Sequence, residues 1–403
     1  VAAAPARGHQ PGLSHGHTGT LPEHREIREA ILNICAGFDA EYWLEKDRNG
    51  GFPADFHRAL ADAGWLGICI PTAYGGSGLG ITEATVMMQA IAESGAGMSG
   101  ASAVHMNIFG LNPVVVFGNE AQKQRMLPPL IAGRERTCFA VTEPNTGLNT
   151  TQLKTRALRD GEQYVLSGVK TFISTASTAE KLLILARTTP LEEVQHKTED
   201  LSLFYTDFDR RFIEVREIDK MGRKAVDTNQ VFIDGLRVPV SDRIGDEGKG
   251  FHYILHGMNA ERILVAGEAV GLGRVALARA AQYAQERIVF NRPIGQNQGV
   301  QHPLAECWME LAAAELMTYH AAAKFDRGLN CGLEANSAKY LAAEAGHKAC
   351  TTAVMTHGGY GYAKEYHVER YLRESLIPLI APVSPQMILC FVAERALGLP
   401  KSY

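Results

Sequence analysis

The stretch Cys138-Phe-Ala-Val-Thr-Glu-Pro-Asn-Thr-Gly147 is the first place where residue types and spacing suggest chemistry. It opens as a short apolar strand, breaks at Pro144, and becomes a polar, Gly-containing turn whose backbone N–H groups are free to point at a ligand. A strand pair turned at Asp160-Gly161 follows, ending in Gly168-Val-Lys-Thr-Phe-Ile-Ser-Thr175. A strand-end turn beside an aromatic ring and a hydroxyl suits a flat, polar-edged ring such as a flavin. A β domain with ordinary turns accounts for the same residues, and taken alone the segment favours that plainer account. The glycines of Pro71-Thr-Ala-Tyr-Gly-Gly-Ser-Gly-Leu-Gly80 invite comparison with a phosphate loop. Their spacing is not Gly-x-Gly-x-x-Gly, no lysine follows and no clear strand precedes, so a dinucleotide fold is poorly supported. His15-Gly-His17 lies in a Gly-, Pro- and His-rich stretch that reads better as a flexible tail than as a metal site.

Several separated segments together resemble one family. Val141-Thr-Glu-Pro-Asn-Thr-Gly147, Lys154-Thr155 and Lys170-Thr-Phe-Ile-Ser174 are similar to the flavin-binding signature of the acyl-CoA dehydrogenases. Thr356-His-Gly-Gly-Tyr-Gly-Tyr362 and Arg370-Tyr-Leu-Arg-Glu374 resemble a second signature, and Glu286 to Gln298 resembles the segment between. The similarity runs in order from about Leu21 to Tyr403, and motifs in register are more specific than any one alone.

The resemblance implies FAD as cofactor. Phe139, Val141, Thr142 and Gly147 match the first flavin loop. Leu148 stands where a serine is usual, beside cofactor and substrate, and cannot make that serine's hydrogen bond. Phe172 replaces a usual tryptophan and Ser174 a usual threonine. Arg287, Phe290 and Gln298 match residues that reach the flavin of a neighbouring subunit, as do Gly358 and Gly359, with Met355 where glutamine is common. Ser384 and Gln386 match a hydroxyl and an amide that touch the cofactor. For the glycines plain turns, and for Phe172 core packing, are the competing readings.

The family oxidises the Cα–Cβ bond of an acyl-CoA thioester. A poorly solvated carboxylate of raised proton affinity takes the α proton, and donors must face the thioester carbonyl, where negative charge develops. Many members carry that carboxylate in a loop after an Arg-Asp pair. Arg373-Glu374 holds the pair's place here, and the loop position is Pro382, neither a base nor an N–H donor; the neighbouring Val383 N–H is a substitute donor. In the isovaleryl-CoA and long-chain members the base is on a helix, and Glu261 matches that position in Met258-Asn-Ala-Glu-Arg-Ile-Leu-Val-Ala-Gly-Glu-Ala-Val-Gly271. Without the resemblance Glu261 reads as an ordinary helix carboxylate. Arg262 resembles an arginine near the acyl-CoA, with a structural ion pair as its alternative. Three functions remain in play: a dehydrogenase serving an electron-transferring flavoprotein, an oxidase using oxygen, and a flavin-binding protein that has lost its base. The resemblance also implies a homo-oligomer, most simply a tetramer.

The elements that must position these residues follow from pattern. The chain has 403 residues, 46% hydrophobic and 21% charged, with net charge −4 and no basic block. That is the composition of a globular protein with ample core, and it argues against a nucleic-acid partner. Seven scattered cysteines without a Cys-x-x-Cys pair predict reduced thiols, in the cytoplasm of a bacterium or a mitochondrial matrix otherwise. No apolar run approaches the ~18 residues of a membrane span. A start at Val1 rather than Met points to removal of a preceding segment.

Ile27, Ala30, Ile31, Ile34 and Phe38 share a helical face, and the methionines of the helix from Ile81 to Glu93 read as core. From Cys138 the period changes to strands, with Asp160-Gly161 and Asp234-Gly235 as turns and a polar loop from Thr188 to Asp200. Long helices return from Gly250, at about Phe251–Ile288, Gln298–Gly328, Glu334–His357 and Ser384–Leu397. The expectation is an α+β chain: a tail at 1–20, an N-terminal helical domain at 21–137, a β-barrel-like domain at 138–243 and a helical bundle at 244–403. Assembly of these parts around a flavin is implied by the resemblance, not by periodicity.

Overall fold

A computed structural model describes residues 21–194 and 198–402; His15 and His17 lie outside them. Seven helices come first: α1 (Pro22–Cys35), α2 (Ala40–Asn49), α3 (Ala54–Asp62), α4 (Ile81–Ile91), α5 (Gly97–Ser102), α6 (Asn112–Phe117) and α7 (Glu120–Ile131). Their starts are set locally. The Asp39 carboxylate accepts the Tyr42 N–H at 3.0 Å, and Asn119 and Gln122 form a reciprocal capping box. The start of α4 is capped from far away: Asp326 accepts the N–H groups of Ile81 and Thr82 at 2.7 and 2.9 Å. Ile27 and Ile31 are buried, and Met87 and Met88 lie in the core as their spacing predicts.

The chain then forms β1 (Thr137–Ala140), β2 (Arg156–Asp160), β3 (Gln163–Ser174), β4 (Lys181–Arg187), β5 (Leu201–Asp207), β6 (Ile213–Glu217), β7 (Thr228–Pro239) and β8 (Arg243–Ile244). They make one eight-stranded sheet in the order β6-β7-β3-β2-β4-β5-β8, with β1 parallel to β4. The β2–β3 hairpin closes through Gly161-Glu162, because Asp160 is already paired with Gln163. Asp234-Gly235 is not a turn. It lies inside β7, where Gly235 at φ 68° takes up a register shift against β3 between Leu166 and Gly168.

The last part contains α8 (Gly250–Glu286), a small hairpin of β9 (Ile288–Val289) and β10 (Arg292–Pro293), α9 (Gln298–Asp326), α10 (Gly332–His357), α11 (Val368–Glu374), α12 (Leu376–Ile380) and α13 (Pro385–Leu397). The short α11 and α12 were not among the helices expected from pattern; five to seven residues offer too few turns for a visible period. Helix α8 is the axis. A Cβ on Gly267 would stand 2.8 Å from the Thr85 methyl, one on Gly271 2.4 Å from the Gln89 carbonyl oxygen, and one on Gly273 3.0 Å from Gly346 Cα. Glycine thus lets α4 and α10 approach α8 on either side. The buried pair Arg274–Glu315 ties α8 to α9. No single helix among the described residues is long and apolar enough to cross a membrane.

Candidate active site

The first set of predicted residues meets at the adjoining ends of β1 and β3. The Thr171 N–H donates to the Thr142 carbonyl at 3.0 Å, joining the loop after β1 to the end of β3. Within that loop Glu143 accepts the N–H groups of Lys154 and Thr155 at 2.7 and 2.9 Å. It also takes a 3.0 Å bond from the fully buried Lys170 ammonium, which donates further to the carbonyls of Val141 and Leu185. Burial pushes Lys170 down to about 8, with Glu143 opposing the shift. A buried ion pair whose remaining donors are satisfied is a fixed post, and it holds the turn open around Gly147.

Around this post the side chains suit a flat ring. Phe139 is half-buried, Val141 is buried, and Phe172 and Leu148 are 67% and 57% exposed. Phe172 is held at φ 58°, a left-handed conformation unusual for an aromatic residue, which turns its ring outward. Nothing lies within 4 Å of a Cβ placed on Gly147. Among the described residues the buried Thr146 hydroxyl has no partner. Ser174, at the end of β3, accepts a 3.2 Å hydrogen bond from Arg223. Exposed apolar side chains beside an unpartnered buried hydroxyl fit an isoalloxazine ring.

Helix α8 carries the candidate base. Glu261 keeps some accessible surface, yet the protein around its carboxyl is dense enough for desolvation to push it up to about 7. His105 and Arg262 oppose that rise and Glu268 adds to it. Arg262 donates to Asn259 at 3.0 Å, and its buried Nε has no partner among the described residues. Two turns along α8, Glu268 is fully buried and bonded to His105 Nδ1 at 3.0 Å, with its second oxygen unpartnered among the described residues. The His105 ring packs against Phe109 at 5.1 Å, and Phe109 meets Phe139 edge-on at 6.1 Å. Sequence reasoning passed over His105. Its signal was indirect: Glu268 is the lone carboxylate within the Ile263–Gly273 run of apolar and small residues, and a buried acid needs a partner.

No carboxylate occupies the segment from Ile377 to Gln386. Its backbone is held by Lys339 of α10, whose ammonium donates to the carbonyls of Val383 at 2.7 Å and Leu379 at 3.5 Å. Glu374 points away into the core, accepting from the Met98 N–H at 2.7 Å and the Ser99 hydroxyl at 2.6 Å. Arg373 forks onto Asp47 at 2.9 and 2.7 Å. The Ser384 hydroxyl caps α13 by accepting the Met387 N–H at 3.3 Å, leaving its own proton free to donate, and Gln386 is exposed.

The remaining predicted residues form a second set at the far end of α8 and α10. Arg287 lies over the Tyr360 ring at 5.6 Å, beside the exposed Gly358 and Gly359. Met355 is 75% exposed. Phe290 and Asn291 form the two-residue tip of the β9–β10 hairpin at φ 50° and 65°, and Phe290 is 94% exposed. Gln298, exposed, opens α9. Among the described residues no hydrogen bond joins this set to the first.

The fold and the site together define a three-part flavoenzyme scaffold, helical, then sheet, then helical, with a carboxylate on the central helix. The chain belongs to the acyl-CoA dehydrogenase family, whose members are FAD-dependent oxidoreductases acting on acyl-CoA. It matches the family's N-terminal domain over residues 21–134, its middle domain over 138–236 and its C-terminal domain over 248–396. It is 36% identical to the acyl-CoA dehydrogenase FadE12 of Mycobacterium tuberculosis over 387 residues, covering 94% of this chain and 97% of that protein. An acyl-CoA dehydrogenase of Bacillus subtilis is 34% identical over 353 residues, covering 87% and 92%. The structure of butyryl-CoA dehydrogenase from Megasphaera elsdenii superposes with a TM-score of 0.89 at 27% identity, covering 94% of this chain and 99% of that one.

Proposed function

We propose that the protein is an acyl-CoA dehydrogenase that converts an acyl-CoA thioester to its trans-2-enoyl-CoA, with Glu261 as the base and an electron-transferring flavoprotein as acceptor. The observation that carries the assignment is the Glu261 carboxyl, held near pH 7 by desolvation, in a chain whose loop position is Pro382. A base poised near the working pH combines a deprotonated resting state with useful proton affinity. FAD, when bound, supplies the acceptor for the β hydrogen. Phe139, Val141, Thr142, Gly147, Leu148, Phe172 and Ser174 hold its ring end, with Ser384 and Gln386 alongside. Arg287, Phe290, Gln298, Met355, Gly358 and Gly359 complete the site of another subunit in a tetramer. Arg262 lies on the acyl-CoA, where its unpartnered Nε finds an acceptor. The acyl chain excludes water from Glu261 and raises its proton affinity further.

The test is anaerobic stopped-flow flavin reduction with a panel of acyl-CoAs. Glu261→Gln keeps size and hydrogen bonding but cannot take the proton. It should retain FAD and bind acyl-CoA, yet reduce its flavin ~10²–10⁴-fold more slowly, nearer the upper end because no second base is in view. Reduction within a few-fold of wild type would sink the assignment. Rapid reoxidation by air would point to an oxidase instead. Failure of every acyl-CoA to bleach the flavin would point to a binding protein without catalysis.

A further inference from the structure

Arg223, in the connection between β6 and β7, combines three features that the reaction as described leaves unused. Its backbone sits at φ 57°, a strained setting for a long side chain. Its side chain is buried. Nη1 donates to the Ser102 hydroxyl at 2.9 Å, and Nη2 donates to the hydroxyls of Ser174 at 3.2 Å and Thr228 at 3.3 Å, while the buried Nε has no partner among the described residues.

No carboxylate among the described residues lies within ion-pair distance of it. The three in electrostatic reach, Glu374, Glu268 and Asp227, are engaged elsewhere. Glu374 bonds Met98 and Ser99, Glu268 bonds His105, and Asp227 accepts from Ser177 and Asn229. A buried guanidinium held only by neutral hydroxyls is incompletely compensated. A guanidinium can only donate, so the Ser174 oxygen is committed as an acceptor and its proton must be directed elsewhere. Among the described residues no acceptor for that proton is present.

We infer that Arg223 is a positioning residue for the flavin: it fixes the Ser174 hydroxyl as a donor to the ring and sets a positive charge without a direct ion-pair partner beside it, favouring the reduced cofactor. The inference rests on the placement of Ser174 at the ring. A guanidinium serving only as a staple between α5, β3 and β7 would leave the redox equilibrium of the flavin unmoved.

The experiment equilibrates FAD-loaded protein anaerobically with a reference dye and reads the ratio of reduced to oxidised flavin. Arg223→Gln should lower that ratio about tenfold, which is about 30 mV for a two-electron couple. Arg223→Lys should recover most of the loss, and Ser174→Ala should lower the ratio as well. Where Arg223→Gln fails to fold or to retain FAD, Ser102→Ala takes its place. It removes one anchor of the guanidinium and should shift the ratio the same way by a smaller factor. A ratio within twofold of wild type in a folded Arg223→Gln protein, or in its Ser102→Ala substitute, overturns the inference while Ser174→Ala still shifts. An unchanged ratio in Ser174→Ala overturns the placement of Ser174 itself, and the inference with it.

Discussion

As the proposed base, Glu261 ties activity and stability to pH with opposite signs. Proton abstraction needs the carboxylate, so flavin reduction should fall as pH drops through about 7, with the plateau on the alkaline side. The same raised value means the folded protein binds a proton more tightly than the unfolded chain. Stability held through Glu261 is therefore fully present below the usual carboxylate range and lost as pH rises through about 7. Glu261→Gln should accordingly melt above wild type at pH 8 and at the same temperature near pH 4, a difference read by paired thermal scans. Leu148 makes a separate test. Its side chain is 57% exposed, so Leu148→Ser removes little packing and restores a hydroxyl worth ~1 kcal/mol net. Flavin affinity should hold or rise, as measured by titration of the apoprotein; marked loss would reveal a packing role against the ring. Glu261 drew notice in the sequence only through the resemblance of its helix segment to the family's. His105, Glu268 and Arg223 were not legible as a group. His105 and Glu268 lie 163 residues apart and Arg223 and Ser174 lie 49 apart, and only the folded chain brings the polar atoms of each pair together.

Among the elements, the entry to α5 depends on one atom having no neighbour. Gly97 sits at φ 62°, and a Cβ there would stand 2.5 Å from Glu374 Oε2, which is pinned by the backbone N–H groups of Met98 and Ser99. Gly97→Ala should destabilise the protein by ~2 kcal/mol or more, from left-handed strain and displacement of a buried carboxylate together, and chemical denaturation would register it. Nothing in the local sequence Gly95-Ala-Gly97 announces this contact, because Glu374 arrives from α11. The dipeptide Asp-Gly was equally ambiguous. At 160–161 it borders a hairpin, and at 234–235 it makes a bulge in a continuous strand. The difference lies in whether a partner strand continues past it, which is a property of the sheet and not of the pair.

Over the whole molecule, the order of helical, strand and helical patterns was readable because each period persists over many residues. Assembly was not readable from pattern, since it depends on what remains uncovered. Phe290 is 94% exposed, and Trp308, Met309 and Leu316 of α9 are 41%, 57% and 55% exposed. Apolar side chains at such exposure fit coverage by further copies of the chain. The active protein should sediment as a tetramer. Phe290→Ala should weaken flavin retention more than it changes the melting of the isolated fold. A flavin-replete, fully active monomer would count against both the assembly and the shared site.

The glycine contacts along α8 have a consequence for how the molecule opens. From Ile263 to Leu277 every residue of that helix is buried, and α4 and α10 are pressed against its backbone. Its central amides should exchange with deuterium only through global unfolding, whereas the exposed β9–β10 hairpin should exchange through small local excursions. Glu261 stands at the border of the slow segment, and Arg287 between the end of α8 and the hairpin. The chain therefore runs from a slow clock in α8 to a fast one in the hairpin that follows it, so conditions that loosen the hairpin should leave Glu261, the proposed base, in place.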